Sequence, residues 1–219
     1  MALIQRIDET QATALSVSEP DDLMSRIGVR MAFSKDEEIY GQGENADLVY
    51  RVVVGTVRTS RFLPDGRRPI GDFYYAGDLF GLETDHEHAM AAEALSDCVI
   101  LVAKRQALVA AGGDDELRRL TWEATVRDLN SAREHLGLLV RKKASERVAS
   151  FLVRLASRGR GEFVELAMGR QDTADYLGLT IETVSRMITQ LQAAHVVEFR
   201  TCRQFRIRNH DALLEMAAG

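Results

Sequence analysis

Hydrophobic and polar positions change their spacing three times along the 219 residues, and each change predicts a different element. From about 31 to 103 the apolar residues come in short runs, rich in β-branched side chains and broken by glycine, which is the pattern of strands. Residues 48–54 and 56–62 are two such runs joined across Gly55, and 98–103 is another. Leu63-Pro64-Asp65-Gly66-Arg67 is a strong turn signal, because proline presets one turn dihedral and glycine tolerates positive φ. Seven glycines fall between positions 41 and 81. Many short strands at close spacing predict a compact barrel or sandwich.

The spacing then becomes helical from about 114 to 141, opening with Asp114, Asp115 and Glu116, whose charges favour a helix N-terminus. Trp122, Val126, Leu129, Leu136 and Val140 recur at three- and four-residue steps, interrupted by Arg133. That stripe has the spacing of a coiled-coil seam. It either packs on its own domain or joins two copies of the chain. Self-association is the better reading, since a β domain followed by one long amphipathic helix leaves that face uncovered.

Lys142-Lys143 marks the expected boundary to a last domain. Val148, Phe151, Leu152 and Leu155 describe a short amphipathic helix from a cap near Ser145 to before Gly159. The organisation read from the pattern is a β domain over 1–113, a long helix over 114–141 and a helical domain over 142–219, without internal repeats.

Residues 170–187 fit a helix-turn-helix position by position. Ala174 is small where two helices must cross closely, and Gly178 stands in the turn, where positive φ is cheap only for glycine. Leu177, Leu179, Val184 and Met187 fill the wedge between the helices, and Thr180 caps the second. That second helix presents Ile181, Glu182, Ser185 and Arg186 outward. Arginine donates two hydrogen bonds to guanine, glutamate accepts from the cytosine amino group, serine contacts base or phosphate, and an apolar Ile181 suits the thymine methyl. Glu182 and Arg186 are also spaced as an i,i+4 ion pair, which would pre-orient the arginine. Thr180 and Thr183 are placed for the DNA backbone. Beyond them, residues 196–200 and 204–208 alternate around Thr201-Cys202-Arg203, a β-wing bearing Arg200, Arg203, Arg206 and Arg208, with Arg203 placed for phosphate at its tip.

Charge supports this division. The net charge of −5 separates into −8 over residues 1–141 and +3 over 142–219, so the basic side is the one suited to nucleic acid. Hydrophobic content of 46% and charged content of 28% are ordinary for a globular protein. No apolar run approaches bilayer length, and the N-terminus lacks the apolar core of a secretion signal, so the cytoplasm is the expected compartment and no membrane partner is expected. Cys98 and Cys202 are too few for a four-thiolate metal site, and a disulfide is not expected in a reducing compartment. No phosphate-binding glycine loop, nucleophile elbow or metal-spaced ligand set points to an enzyme.

Gly77-Asp78-Leu79-Phe80-Gly81-Leu82-Glu83 and Asp175-Tyr176-Leu177-Gly178-Leu179-Thr180-Ile181-Glu182-Thr183-Val184-Ser185-Arg186 together resemble the superfamily of the cyclic-AMP receptor protein and the fumarate–nitrate reduction regulator (Crp/Fnr), most of all its FixK-like branch. The resemblance covers nearly the whole chain. It implies an α+β architecture: an N-terminal β-roll (a cyclic-nucleotide-binding-like jelly roll), a long dimerisation helix and a C-terminal winged helix-turn-helix. It further implies a homodimeric transcription regulator that binds double-stranded DNA and works with RNA polymerase. Glu182, Ser185 and Arg186 would read each half of a TTGAT-N-ATCAA-like palindrome. Ile181 stands where the cyclic-AMP receptor places an arginine, which implies the TTGAT type of half-site.

The departures bear on the effector. Cyclic-nucleotide-binding members follow the roll's glycine with a ribose-binding glutamate and later present arginine and a small residue to the phosphate. Here Gly81 is followed by Leu82, the later stretch is His86-Glu87-His88-Ala89-Met90-Ala91, and Glu83, Asp85 and Glu87 add negative charge. No cysteine precedes Met31, whereas oxygen-sensing members hold an iron–sulfur cluster with an N-terminal cysteine group. The expectation is a regulator that uses no cofactor, with His86 and His88 solvated and Cys98 packed. The alternative is a haem, nitric-oxide or thiol redox sensor built on His86, His88 or Cys98.

Overall fold

The computed structural model describes residues 23–83, 85–141, 143–159 and 161–219. The expected absences of a secretion signal and of N-terminal cysteines fall on the first 22 residues, outside the described residues, as does Lys142 of the expected boundary pair. The chain forms two units, 1–130 and 131–219, and the division falls inside one long helix.

The first unit is a roll of two four-stranded antiparallel sheets. One runs in the order β1 (Val29–Phe33), β8 (Cys98–Lys104), β3 (Leu48–Val54), β6 (Leu79–Phe80); the other runs β2 (Glu38–Tyr40), β7 (Ala91–Ala94), β4 (Thr56–Ser60), β5 (Ile70–Tyr75). β8 explains its own unbroken apolar run. Ile100 and Val102 face the roll interior with Tyr40, Tyr50, Val57 and Phe80. Leu101 and Ala103 face the other way, under Leu23 and Met24 of α1 (Leu23–Ile27) and Leu108, Leu120 and Ala124 of α2 (Arg105–Arg141). A strand covered on both faces has no polar side to alternate with. β4 ends at Ser60, two residues short of the run in the sequence, and the expected turn follows: Gly66 has φ 82° and its N–H donates to the Leu63 carbonyl at 3.0 Å.

α2 is two helical segments joined at a kink, where Gly113 has non-helical backbone (φ 74°, ψ 175°). The second segment runs from Asp114 to Arg141, as the pattern indicates, and the first begins at Arg105. Residues 105–112, expected to close the β domain, are therefore a first helical segment. Along α2 the seam residues are all solvent-facing in the single chain: Trp122 is 70% exposed and Leu136 61%.

In the second unit, α3 (Ala144–Arg158) is capped by Lys143 and not by Ser145. The Glu146 carboxylate accepts the Lys143 N–H at 2.9 Å, so an acid three residues in closes the helix start before a Ser145 cap would have, and Ser145 falls inside the first turn. α3 ends at Gly159 as its pattern indicates. α4 (Arg170–Leu177), α5 (Ile181–Ala193) and α6 (His210–Ala218) complete the helices, and β9 (Val164–Glu165), β10 (Val197–Thr201) and β11 (Gln204–Ile207) form one antiparallel sheet in the order β10-β11-β9. The wing thus has a third strand that the sequence pattern did not mark.

Candidate nucleic-acid interface

The turn between α4 and α5 is built by Gly178, which sits at φ 61°, ψ 41° and donates its N–H to the Ala174 carbonyl, with the Leu179 N–H reaching the same oxygen at 2.9 Å. Ala174, Leu177 and Val184 are fully buried. Leu179 and Met187 are only half-buried, and Ile188, which the pattern left out, fills the wedge at 3% exposure. Thr180 is extended (φ −88°, ψ 155°) and its hydroxyl accepts the Thr183 N–H at 3.2 Å, the N-cap the sequence indicated.

These contacts leave Ile181, Glu182, Ser185 and Arg186 on one exposed strip of α5, opposite Val184, Ile188 and Leu191. The expected Glu182–Arg186 pair does not form among the described residues. Glu182 turns back over the helix start, where its own backbone N–H and then the Thr180 hydroxyl hold its carboxyl below the usual range. The helix terminus outcompetes an exposed ion pair, which contributes only a few tenths of a kcal/mol. Arg186 keeps its place on the exposed strip without that pair.

The wing arginines divide in two. Arg206 and Arg208 close on Glu198, and Arg206 also meets Glu162, so their charge is spent inside the sheet. Arg200 is exposed, its guanidinium 6.0 Å above the Phe163 ring. Arg203, half-buried, donates through Nη1 to the Ala167 carbonyl at 2.5 Å, which ties the wing tip to the segment after β9. One such bond leaves a guanidinium with further donors.

Residues 146–216 match the Crp-like helix-turn-helix domain and residues 30–111 the cyclic nucleotide-binding domain. The chain is 42% identical over 203 residues to the nitrogen fixation regulation protein FixK of Azorhizobium caulinodans, covering 90% of this chain and 82% of that protein. The chain belongs to the Crp/Fnr family of transcription regulators. It is also 38% identical to FixK of Rhizobium meliloti, over 83% of each chain. The solved structure of FixK2 from Bradyrhizobium japonicum superimposes with a TM-score of 0.83 at 44% identity, covering 88% of this chain and 98% of that one. Within the Crp/Fnr family this chain is accordingly a FixK-like, DNA-binding transcription regulator.

A Cβ at Gly81 would lie 2.5 Å from Tyr50 Cδ2 and 3.5 Å from His88 Cε1, so rings already fill the space at that glycine. His88, expected in solvent with His86, is instead buried: its ring lies 3.6 Å from that of Tyr40, at 13°. His86 is exposed as expected. Among the described residues neither His88 ring nitrogen has a hydrogen-bond partner, and Glu83 Oε1 stands 3.8 Å from Nδ1. A buried imidazole beside a carboxylate offers a phosphate none of the charge that an arginine would. Cys98 packs in the roll core, its thiol pushed up by burial and donating to the Thr56 and Ser96 carbonyls; Cys202 is exposed on the wing.

Burial holds the His88 imidazole below its ordinary value of 6.5, against the opposing pull of Glu83 and Glu44 and with a small further push from Arg105. The unfolded chain then takes the proton more readily than the folded one. Stability is complete above the unfolded value and falls as pH drops below it. His88→Phe, which keeps a ring against Tyr40, is expected to flatten the loss of melting temperature between about pH 7 and pH 5. An unchanged slope in the variant would assign the loss to other groups.

Proposed function

We propose that the chain acts as a homodimer on a TTGAT-N-ATCAA-like palindrome, and that it does so without cyclic nucleotide, iron–sulfur cluster or haem. The observation that carries the reading is the strip of Ile181, Glu182, Ser185 and Arg186, exposed together at the start of a helix whose other face is locked by Val184, Ile188 and Leu191. Arg186 donates to guanine, Glu182 accepts from cytosine, Ser185 reaches a base edge and Ile181 meets a thymine methyl. Thr180, Thr183 and Arg203 contact the sugar–phosphate backbone, which positions the helix without reading sequence. Trp122, Val126, Leu129, Leu136 and Val140 form the dimer seam, and the two recognition helices enter major grooves about one DNA turn apart. The protein works in the cytoplasm as an activator that recruits RNA polymerase.

Effector independence is supported by the ring-filled roll and by the burial of His88 and Cys98, which leaves His86 as the one exposed residue of the three that a sensor would use. Selection of bound sequences from random DNA with purified apo protein tests the whole reading. Recovery of the palindrome is the expected result. Recovery only in the presence of a small molecule, or a Soret band in the protein as isolated, would overturn effector independence.

Arg203→Ala is expected to weaken binding equally on specific and random DNA and to reduce the slope of log K against log salt by about one. A change confined to one base pair would instead make Arg203 a reader of sequence.

A further inference from the structure

The recognition helix is also held from behind, by a polar clamp on the helix that precedes it. α4 ends at Leu177 with no basic residue in its own last turn, so its final carbonyls carry the negative end of the helix without a cation of their own. Other elements supply one. Arg147 of α3 donates through Nη1 to the Leu177 carbonyl at 3.0 Å and through Nη2 to the Leu139 carbonyl at 2.8 Å. Leu139 lies in the last turn of α2, so one guanidinium joins the ends of two helices. Its planar fork fixes the angle between them in a way a lysine ammonium would not.

The adjoining residue is held as firmly. His135, on the same last stretch of α2, lies flat on the Tyr176 ring, with centroids 3.9 Å apart and planes at 6°, and its Nε2–H donates to the Tyr176 carbonyl at 2.5 Å. Arg154 of α3 donates to the Tyr176 hydroxyl at 2.7 Å. Gly178 then lets the turn approach: a Cβ there would stand 3.2 Å from Leu139 Cδ2. The residues immediately before the recognition helix are therefore bonded to the end of α2, a stretch whose outer face carries the exposed Leu136 and Val140 of the seam.

We propose that Arg147, His135 and Tyr176 are positioning residues that fix the recognition helix against the end of α2 and thereby set the half-site spacing the protein accepts. The clamp touches no DNA. It converts the geometry of the seam into the separation of two reading helices, and so it rests on the protein being a dimer that binds a palindrome. Removing it frees the angle while leaving every base-reading side chain in place.

The test uses full-length protein with Arg147→Lys, which keeps the charge and loses the fork, and His135→Phe, which keeps the ring stack and loses the bond to the Tyr176 carbonyl. Each is titrated against the selected palindrome and against versions with one base pair added to or removed from the spacer, and against single-base changes within a half-site. Wild type is expected to prefer the selected spacer by about tenfold or more, each such factor corresponding to about 1.4 kcal/mol. Both variants should lose most of that preference while keeping the wild-type ranking of half-site bases. Folded variants that retain the full spacing preference would overturn the clamp and leave the dimer reading standing. A wild type indifferent to spacing would overturn the dimer reading and the clamp with it.

Discussion

Replacing Leu129 and Leu136 together by glutamate is expected to convert the protein to a monomer and to lower its affinity for the full palindrome by at least about 100-fold. Both side chains are exposed in the single chain, at 47% and 61%, so the substitution removes nothing from its core. In the dimer proposed above the same positions would face their counterparts, and the change would replace apolar area buried there, worth about 25 cal/mol per Å², with four carboxylates brought together in one seam. The loss on DNA exceeds the loss of any single base contact because a dimer binds its second half-site as an intramolecular event. Sedimentation velocity at micromolar concentration should show the monomer, with thermal melting of the roll unchanged. Binding to an isolated half-site should be unaffected. A variant that remains dimeric would place the subunit contact elsewhere.

Arg186→Ala is expected to carry the next largest effect, about 1–3 kcal/mol of discrimination at one base pair in each half-site. Two equivalent, well-separated half-sites add, which gives about 2–6 kcal/mol on the palindrome. Arg186 is exposed and is not held by Glu182, so its truncation disturbs no ion pair among the described residues. Affinity for random DNA should change little, and a selection repeated with the variant should relax at one position only. Equal losses on specific and random DNA would show that Arg186 serves the phosphates, as Arg203 is proposed to do.

Much of the interface was legible because helix-turn-helix geometry makes local demands. Gly178 at positive φ, Ala174 at a close crossing and Thr180 as a cap each follow from the backbone within a few residues, and each stands where the pattern put it. What failed was the competition between local partners. Glu182 has Arg186 four residues on and the helix start directly beneath it, and spacing alone does not rank the two. The same holds at Lys143, where Glu146 closes the helix start before a Ser145 cap would have. β9 was invisible for a simpler reason: two residues contain no period, and they become a strand only because β11 lies beside them.

The sequence by itself determined the succession of a β domain, a long helix and a helix-turn-helix with its wing, the exposed strip at the start of α5 and the apolar stripe along α2, because these depend on periodicity and on residues near one another in the chain. Tertiary structure decided which charges remain available and which are consumed. Arg206 and Arg208 look as basic as Arg200 in the sequence, yet Glu162 and Glu198 neutralise them across the sheet. His88 reads as half of a solvated pair, but Tyr40, 48 residues earlier, takes its ring into the core. Arg147 reads as one more charge on an amphipathic helix, and only the fold brings the carbonyls of Leu139 and Leu177 to its two ends. Burial and long-range hydrogen bonds join residues far apart in the chain, and no spacing rule reaches across that distance.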